Sequence, residues 1–402
     1  MISLKLERRP TSIKSVYVAG IPVVGAVIGL LIAAVILAVT RHNPFSTYGI
    51  MLQFAFGSLR GVNSTLVQMT PLLLTGLAAL VAFRAGVYNI GAEGQLYIGA
   101  MSASGVALAL RGQTPIVIIP CMLIAGALGG VAWALIPALS RVLYDANEIL
   151  TTLMMNYIGG LLITYLIFNS DSYWRDLSTS FARSYPVGKT IPINANWPAL
   201  GIAGFTLPLG LLVGLGVSIL VMLWFRQGRG GFFARVFANS PLTAQYTGVR
   251  TKRLVFGIFL ASGALAGIAG ASQIGDFAHL LDPSSLQAAG YGYAGILVAV
   301  LAMLNPLGLI LSSLFLGGLT NAGFALEGPK FPNGTVGTLE GIILFCVVGM
   351  LTLVNYGIRI VNQARFTPLK ASKDGSTTAG VQEKSTFSRV RFFSSNPFGK
   401  RD

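Results

Sequence analysis

The sequence predicts an all-α polytopic membrane protein of about ten transmembrane helices, and three observations carry that expectation. Hydrophobic residues fill 53% of the 402 positions and charged residues only 10%, with a mean hydropathy of +0.71. An ordinary soluble domain carries roughly 25% charged residues, so a water-facing surface cannot be assembled from so few, whereas lipid-facing helices need none. The apolar character also runs from residue 18 to about 358 without a soluble-type interval. Finally, the run divides into separate apolar stretches, and the helix is the default spanning structure because it satisfies its own backbone polar groups.

The stretches are taken in order. A basic head (Lys5, Arg8, Arg9, Lys14) leads into the first, at 18–39. This one is longer than a signal-peptide core and no small-residue cleavage site follows it, so it is read as an uncleaved span. Further runs fall near 64–83, 90–110, 115–139, 147–168, 207–226, 253–274, 289–304, 307–326 and 338–358, the eighth and ninth meeting at Asn305-Pro306. Two connections, 169–206 and 227–252, are too long to be turns. From about residue 366 the chain is rich in Ser, Thr, Lys and Gly, the composition of a disordered tail. The expected organisation is a cytoplasmic head over 1–17, a transmembrane domain over 18–358 and a basic, disordered cytoplasmic tail over 359–402. Contact of that tail with anionic lipid headgroups and a plain solvated tail both fit.

Charge placement orients the spans. With the head inside, only Arg41, Arg60, Arg111, Arg175, Arg183, Lys189 and Lys330 of the 28 lysines and arginines fall outside. The positive-inside rule then puts both termini in the cytoplasm, as an even number of spans requires. The net charge of +15 is thus mostly topology, and no nucleic-acid partner is expected.

Several function classes lack their signatures. No G-x-x-x-x-G-K-[ST] phosphate loop occurs, so ATP is expected to act on a separate subunit, with no cofactor held by this chain. His42 and His279 lie near predicted outer ends, Cys121 and Cys346 sit inside apolar runs, and no His/Cys cluster suggests a metal. Only Glu93, Glu148 and Glu340 are read as acidic residues within or at the edge of spans, whereas ion-coupled carriers generally hold more intramembrane ionisable groups. No catalytic residue is expected, and the energy source is expected from a partner.

The densest polar stretch in an apolar setting is RAGVYNIGAEGQLYIGA, residues 84–100. On a helix, Asn89, Glu93 and Tyr97 recur every fourth residue and share a face. Gly91, Gln95 and Gly99 form a neighbouring row where another helix can approach closely. Two readings stand: the polar side chains line a wet cavity and touch solute, or they are buried glue between helices.

This stretch resembles the hallmark of the permeases of bacterial ATP-binding cassette (ABC) importers for nucleosides and simple sugars, a group related to branched-chain amino-acid permeases. The resemblance continues at Asp145–Tyr157 (DANEILTTLMMNY), at Gly290–Ile296 (GYGYAGI) and at Asn305-Pro306-Leu307-Gly308, and covers roughly residues 45–355. It implies a multi-pass subunit of the bacterial cytoplasmic membrane, working with an ABC ATPase, a second permease subunit and an extracytoplasmic substrate-binding protein or lipoprotein. The segment RGGFFARVFANSPLTAQYTGVR, 229–250, resembles the family's coupling helix, with Arg235, Asn239, Pro241, Ala244 and Gly248 at the matching positions and Ser240 as an insertion. Independently of the resemblance, Asn239-Ser240-Pro241 reads as a helix start, a capping side chain followed by proline at the first position.

If the ten spans are two sets of five, the second set is inverted relative to the first, and the third span corresponds to the eighth. Both are then expected at the central path. Asn156 and Tyr157 are further candidates for it. Tyr291 and Tyr293 are either lining residues or interfacial anchors, and Asn321 is either lining or interhelical glue. In the outer loop, Asp171, Arg175 and Asp176 are either docking charges or an ordinary solvated surface. The rival function class is a self-sufficient ion-coupled carrier or channel for a small polar solute.

Overall fold

The computed structural model describes residues 2–8, 15–178, 180–202, 204–326 and 335–362. Among these residues there are fifteen α-helices and four short strands. They are β1 (Ile2–Arg8), α1 (Ser15–Val39), α2 (Pro44–Phe56), α3 (Leu59–Arg84), α4 (Ala92–Ala109), α5 (Pro115–Tyr144), α6 (Glu148–Thr164) and α7 (Ser180–Ser184). Then come β2 (Ala199–Ile202), β3 (Phe205–Pro208), α8 (Leu209–Gln227), α9 (Arg229–Asn239), α10 (Pro241–Tyr246), α11 (Thr251–Ser272), α12 (Pro283–Ala289), α13 (Tyr291–Leu301), α14 (Pro306–Leu326), α15 (Thr335–Asn355) and β4 (Tyr356–Asn362). α6 and α11 each run on into a π-helical turn, at Tyr165–Asn169 and Gln273–Ala278. Two compact units divide the chain: residues 8–357 contain the helical bundle, and the other unit contains the paired strands β1 and β4. β4 opens the region that composition assigns to a disordered tail. The rest of that tail (363–402), Arg9, Lys14 and Lys330 lie outside the described residues.

Each of the ten sequence-predicted spans coincides with a helix. Eight helical stretches among the described residues are long and apolar enough to cross a membrane. The two others are α4, which is buried around most of its circumference, and α15, whose apolar part is Gly337–Leu351. The eighth span begins earlier than expected, at Pro283, because it is two helices: α12 and α13 are separated at Gly290, whose φ is +58°. α2 is an addition that the apolar runs do not mark. Asn43 starts it by accepting from the N–H groups of Phe45 and Ser46, and Pro44 takes the first position.

α3 and α11 form the centre. α11 packs on α4 and α5, and α3 packs on α13 and α14. Exchanging the first five spans with the second five maps each of these contacts onto another, as two inverted halves require. Lipid supplies no hydrophobic drive between helices, so close backbone approach and interhelical hydrogen bonds hold them. α5 and α11 show the first device: Gly126 and Gly130 lie against Gly263 and Gly267 with no room for a methyl group on any of the four.

Residues 170–208 fold over one end of the bundle. The Trp174 indole N–H donates to the Met101 carbonyl (3.0 Å), and the Trp197 backbone N–H donates to the Gly275 carbonyl (3.0 Å). β2 and β3 form an antiparallel hairpin there. α9 and α10 occupy the opposite end.

Candidate functional site

α3 stops at Arg84, and Gly86, at φ +74°, turns the chain into a partly buried, non-helical segment that lasts until α4 begins at Ala92. A break inside a bundle frees backbone groups that must find partners. Asn156 of α6 serves two of them, accepting from the Gly94 N–H and donating to the Ile90 carbonyl (both 2.9 Å). Thr152 accepts from the Ile90 N–H at 3.3 Å. Asn89 accepts from the Gly91 N–H at 3.0 Å, a local side-chain turn that ends the extended segment.

Asn89 therefore does not share a helical face with Glu93 and Tyr97, because it lies ahead of the first helical residue. Glu93 and Tyr97 do share one, and the Tyr97 hydroxyl donates to the Glu93 carboxylate at 2.7 Å. Gln95 reaches back to Asn89, and one turn on, Gly99 lies against the Gly267 backbone of α11. The Gln95 amide and that of Asn89 exchange hydrogen bonds of 3.1 and 3.2 Å, and Asn89 also donates to Ser262 of α11 at 2.9 Å. Ser262 in turn donates to the Ala78 carbonyl of α3.

Glu93 joins this break to the other one. Its second carboxylate oxygen accepts from the backbone N–H groups of Gly292 and Tyr293, the first turn of α13. The helix dipole and the free N–H groups there favour an anion. Among the described residues no ion pair reaches Glu93, so the helix end takes the place of a basic side chain. The third and eighth spans thus meet at their breaks. On the far side of the joint, the Tyr291 hydroxyl donates to the Gln68 side chain, and the Tyr291 carbonyl accepts from Thr75 (2.9 Å).

The remaining candidates divide. The Tyr293 hydroxyl accepts from Asn156 at 3.2 Å, so it belongs to the joint. Asn321 lies apart, donating to the Gly61 carbonyl and to Thr65 of α3 (3.1 and 3.0 Å). Tyr157 is 68% exposed and turned away from the network that its neighbour Asn156 completes. Gln68, Thr75, Thr152 and Ser262 are joint or near-joint residues that the sequence reading passed over. Polar side chains inside apolar runs were their only signal. Asp276 was also missed, because the span was expected to end at 274. The π-helical turn carries it on to 278, and Asp276 accepts from the Gly210 N–H at the start of α8 (3.0 Å).

At the end opposite the 170–208 cap, α9 and α10 meet at Ser240. Ser240 itself is the cap of α10, accepting from the Thr243 N–H at 3.3 Å, so it is the break between two helices rather than an interruption of one. Asn239 instead closes α9, donating to the Arg235 carbonyl at 2.9 Å. Ala244 is buried, and Gly248, at φ +79°, ends the turn after α10. Leu242 and Tyr246 are 66% and 90% exposed. The first of these helices, α9, is tied directly to the first break, where Gly86 lies against the backbone of Ala238; beside it the Arg84 guanidinium sits 4.6 Å over the ring of Phe225 of α8.

In the cap, Arg175 pairs with the exposed Asp171 at 3.5 Å, and the Ser178 N–H donates to Asp176, holding its carboxyl below the usual range.

A polytopic helical bundle, with eight stretches among the described residues able to cross a membrane and broken helices meeting inside it, is the architecture of a membrane transport protein. Residues 61–348 match the family described as the permease component of branched-chain amino acid transport systems, and the chain belongs to that family. It is 30% identical to the guanosine ABC transporter permease protein of Bacillus subtilis, over 85% of this chain and 94% of that one. It is 26% identical to a nucleoside ABC transporter permease protein of Lactococcus lactis subsp. cremoris (90% and 97% covered). It is 27% identical to a glucose ABC transporter permease protein of Haloferax volcanii (93% and 98% covered).

Proposed function

We propose that this chain forms the path for a nucleoside or related simple sugar in an ABC importer of the cytoplasmic membrane, with both termini in the cytoplasm. A separate ATPase binds and hydrolyses ATP. A second permease subunit completes the path, and an extracytoplasmic binding protein or lipoprotein delivers the solute at the 170–208 end. The observation that carries this reading is the pair α9–α10. Two large apolar side chains, Leu242 and Tyr246, stand exposed on a short capped helix at the end opposite the 170–208 cap, where a docked ATPase would cover them. The neighbour of that helix, α9, abuts Gly86, where the segment leading to the Glu93 joint begins. A push on α10 therefore reaches the joint through a few residues of packed backbone.

An ion-coupled carrier fits less well. Glu93 gives its oxygens to the Tyr97 hydroxyl and two backbone N–H groups, and Asp276 accepts from the start of α8.

The test is reconstitution of the complete transporter with the double substitution Leu242→Asp, Tyr246→Ala. The ATPase should no longer co-purify and ATP-driven uptake should vanish, while the permease melts at an unchanged temperature. Unimpaired uptake by this variant would falsify the assignment.

A further inference from the structure

Two cavities adjoin at Ser64, at the end of the bundle that residues 170–208 cover. The outer, about 400 Å³, lies between α2 and the start of α3, with Gln53, Ser58 and Arg60 in its wall. The inner, about 360 Å³, is lined by Ser64, Val67 and Gln68 of α3, Phe277 of the π-helical turn and Asn321 of α14. Ser64 and Gln68 lie about 8 and 14 Å along α3 from its first residue. Both cavities fall within the roughly 300–1,000 Å³ of small-molecule sites.

We infer that the inner cavity is the subsite for the planar heterocyclic base of a neutral nucleoside, stacked on Phe277 and read by the amides of Gln68 and Asn321. This rests on the importer reading above and narrows its solute.

Gln68 and Asn321 are each only 3% exposed. The Gln68 oxygen is engaged by the Tyr291 hydroxyl and the Asn321 nitrogen by Gly61 and Thr65; among the described residues the Gln68 NH₂ and the Asn321 carbonyl oxygen carry no hydrogen bond, and both side chains line the cavity. A donor and an acceptor in the wall of one cavity suit the mixed donor and acceptor edge of a base. An acyl chain would leave both unsatisfied, which costs free energy in an apolar setting. The Phe277 ring, 48% exposed, supplies a flat face. It is placed there by a π-helical turn, a feature found disproportionately at functional sites.

No lining residue of the inner cavity is charged. A phosphorylated nucleotide or a zwitterionic amino acid would find no partner for its charge there, whereas a nucleoside needs none. Its ribose hydroxyls would extend past Ser64 towards Gln53 and Ser58. Occupancy is also positioned to be felt: Gln68 holds Tyr291, and the next residue, Gly292, is gripped by Glu93.

The experiment has two arms on the complete transporter in lipid. In the first, 8-azidoguanosine is photolysed with the protein and the labelled peptide identified. Label should fall on the segment holding Phe277, be displaced by excess guanosine but not glucose, and drop in Phe277→Leu. In the second, ATP-driven nucleoside uptake is compared in Phe277→Leu and Phe277→Trp. Loss of stacking should raise KM about tenfold in the leucine variant, while the tryptophan variant stays near wild type. Label elsewhere, or equal uptake by the two variants as an acyl-chain pocket would give, overturns the subsite while ATP-driven uptake still upholds the importer. Label at Phe277 without ATP-driven uptake by the wild type upholds the subsite and overturns the importer.

Discussion

Glu93 is the residue on which the two breaks depend. Its carboxylate accepts from the Tyr97 hydroxyl and from two N–H groups of α13, so truncation strands two buried donors and a part-buried one at once. Glu93→Ala should destabilise the subunit by about 1–3 kcal/mol, read as a fall in melting temperature in detergent. Glu93→Gln keeps one acceptor oxygen and should lose less. Glu93 and Asn156 were legible in the sequence because polar side chains in an apolar run stand out. Their partners were not, since Gly292 is 199 residues away from Glu93 and offers only backbone. Tyr157 misled for a local reason: neighbours on a helix point about 100° apart, so a residue beside Asn156 faces elsewhere. Asn89 misled because a fourfold spacing speaks of a face only where the chain is helical.

The helices themselves were readable in proportion to their length and apolarity. α2, with 13 residues, is too short to register as a span and has no charge pattern of its own, yet it walls the outer cavity. α10 was announced by Pro241, and the structure moves its cap to Ser240. The segment between α3 and α4 carries the more demanding prediction. Gly86 combines φ +74° with a backbone contact to Ala238, so an added methyl is strained by its conformation and crowded by α9. Gly86→Ala should cost about 1 kcal/mol of stability, a small change in melting temperature. Its larger effect should be on coupling. ATPase binding and ATP hydrolysis should persist while solute uptake per ATP falls several-fold, measured side by side in proteoliposomes.

The bundle as a whole was foreseen as an all-α polytopic array: each of the ten expected spans falls on a helix, and eight helical stretches among the described residues are long and apolar enough to cross a membrane. How the halves interlock was not, because contacts such as α5 with α11 depend on glycines that composition alone cannot pair. The orientation read from charge has a direct check. Single cysteines at Arg183 and at Leu242, in a background without Cys121 and Cys346, should react with a membrane-impermeant maleimide from opposite sides. Arg183 should be labelled in intact cells and Leu242 only after the membrane is opened. Reversal of that pattern would invert the assignment of the ATPase end.

The grip of Glu93 on α13 also sets a schedule for synthesis. The carboxylate enters the bilayer with the third span, but the N–H groups that satisfy it are made 199 residues later. At 5–20 residues per second, that interval lasts about 10–40 s. Throughout it the nascent first half holds an acidic side chain in the membrane with only Tyr97 beside it. A ribosome stalled after α6 should leave a half-protein that insertion chaperones retain and quality-control proteases recognise. Glu93→Gln, weaker as a joint in the finished subunit, should make that same intermediate longer lived.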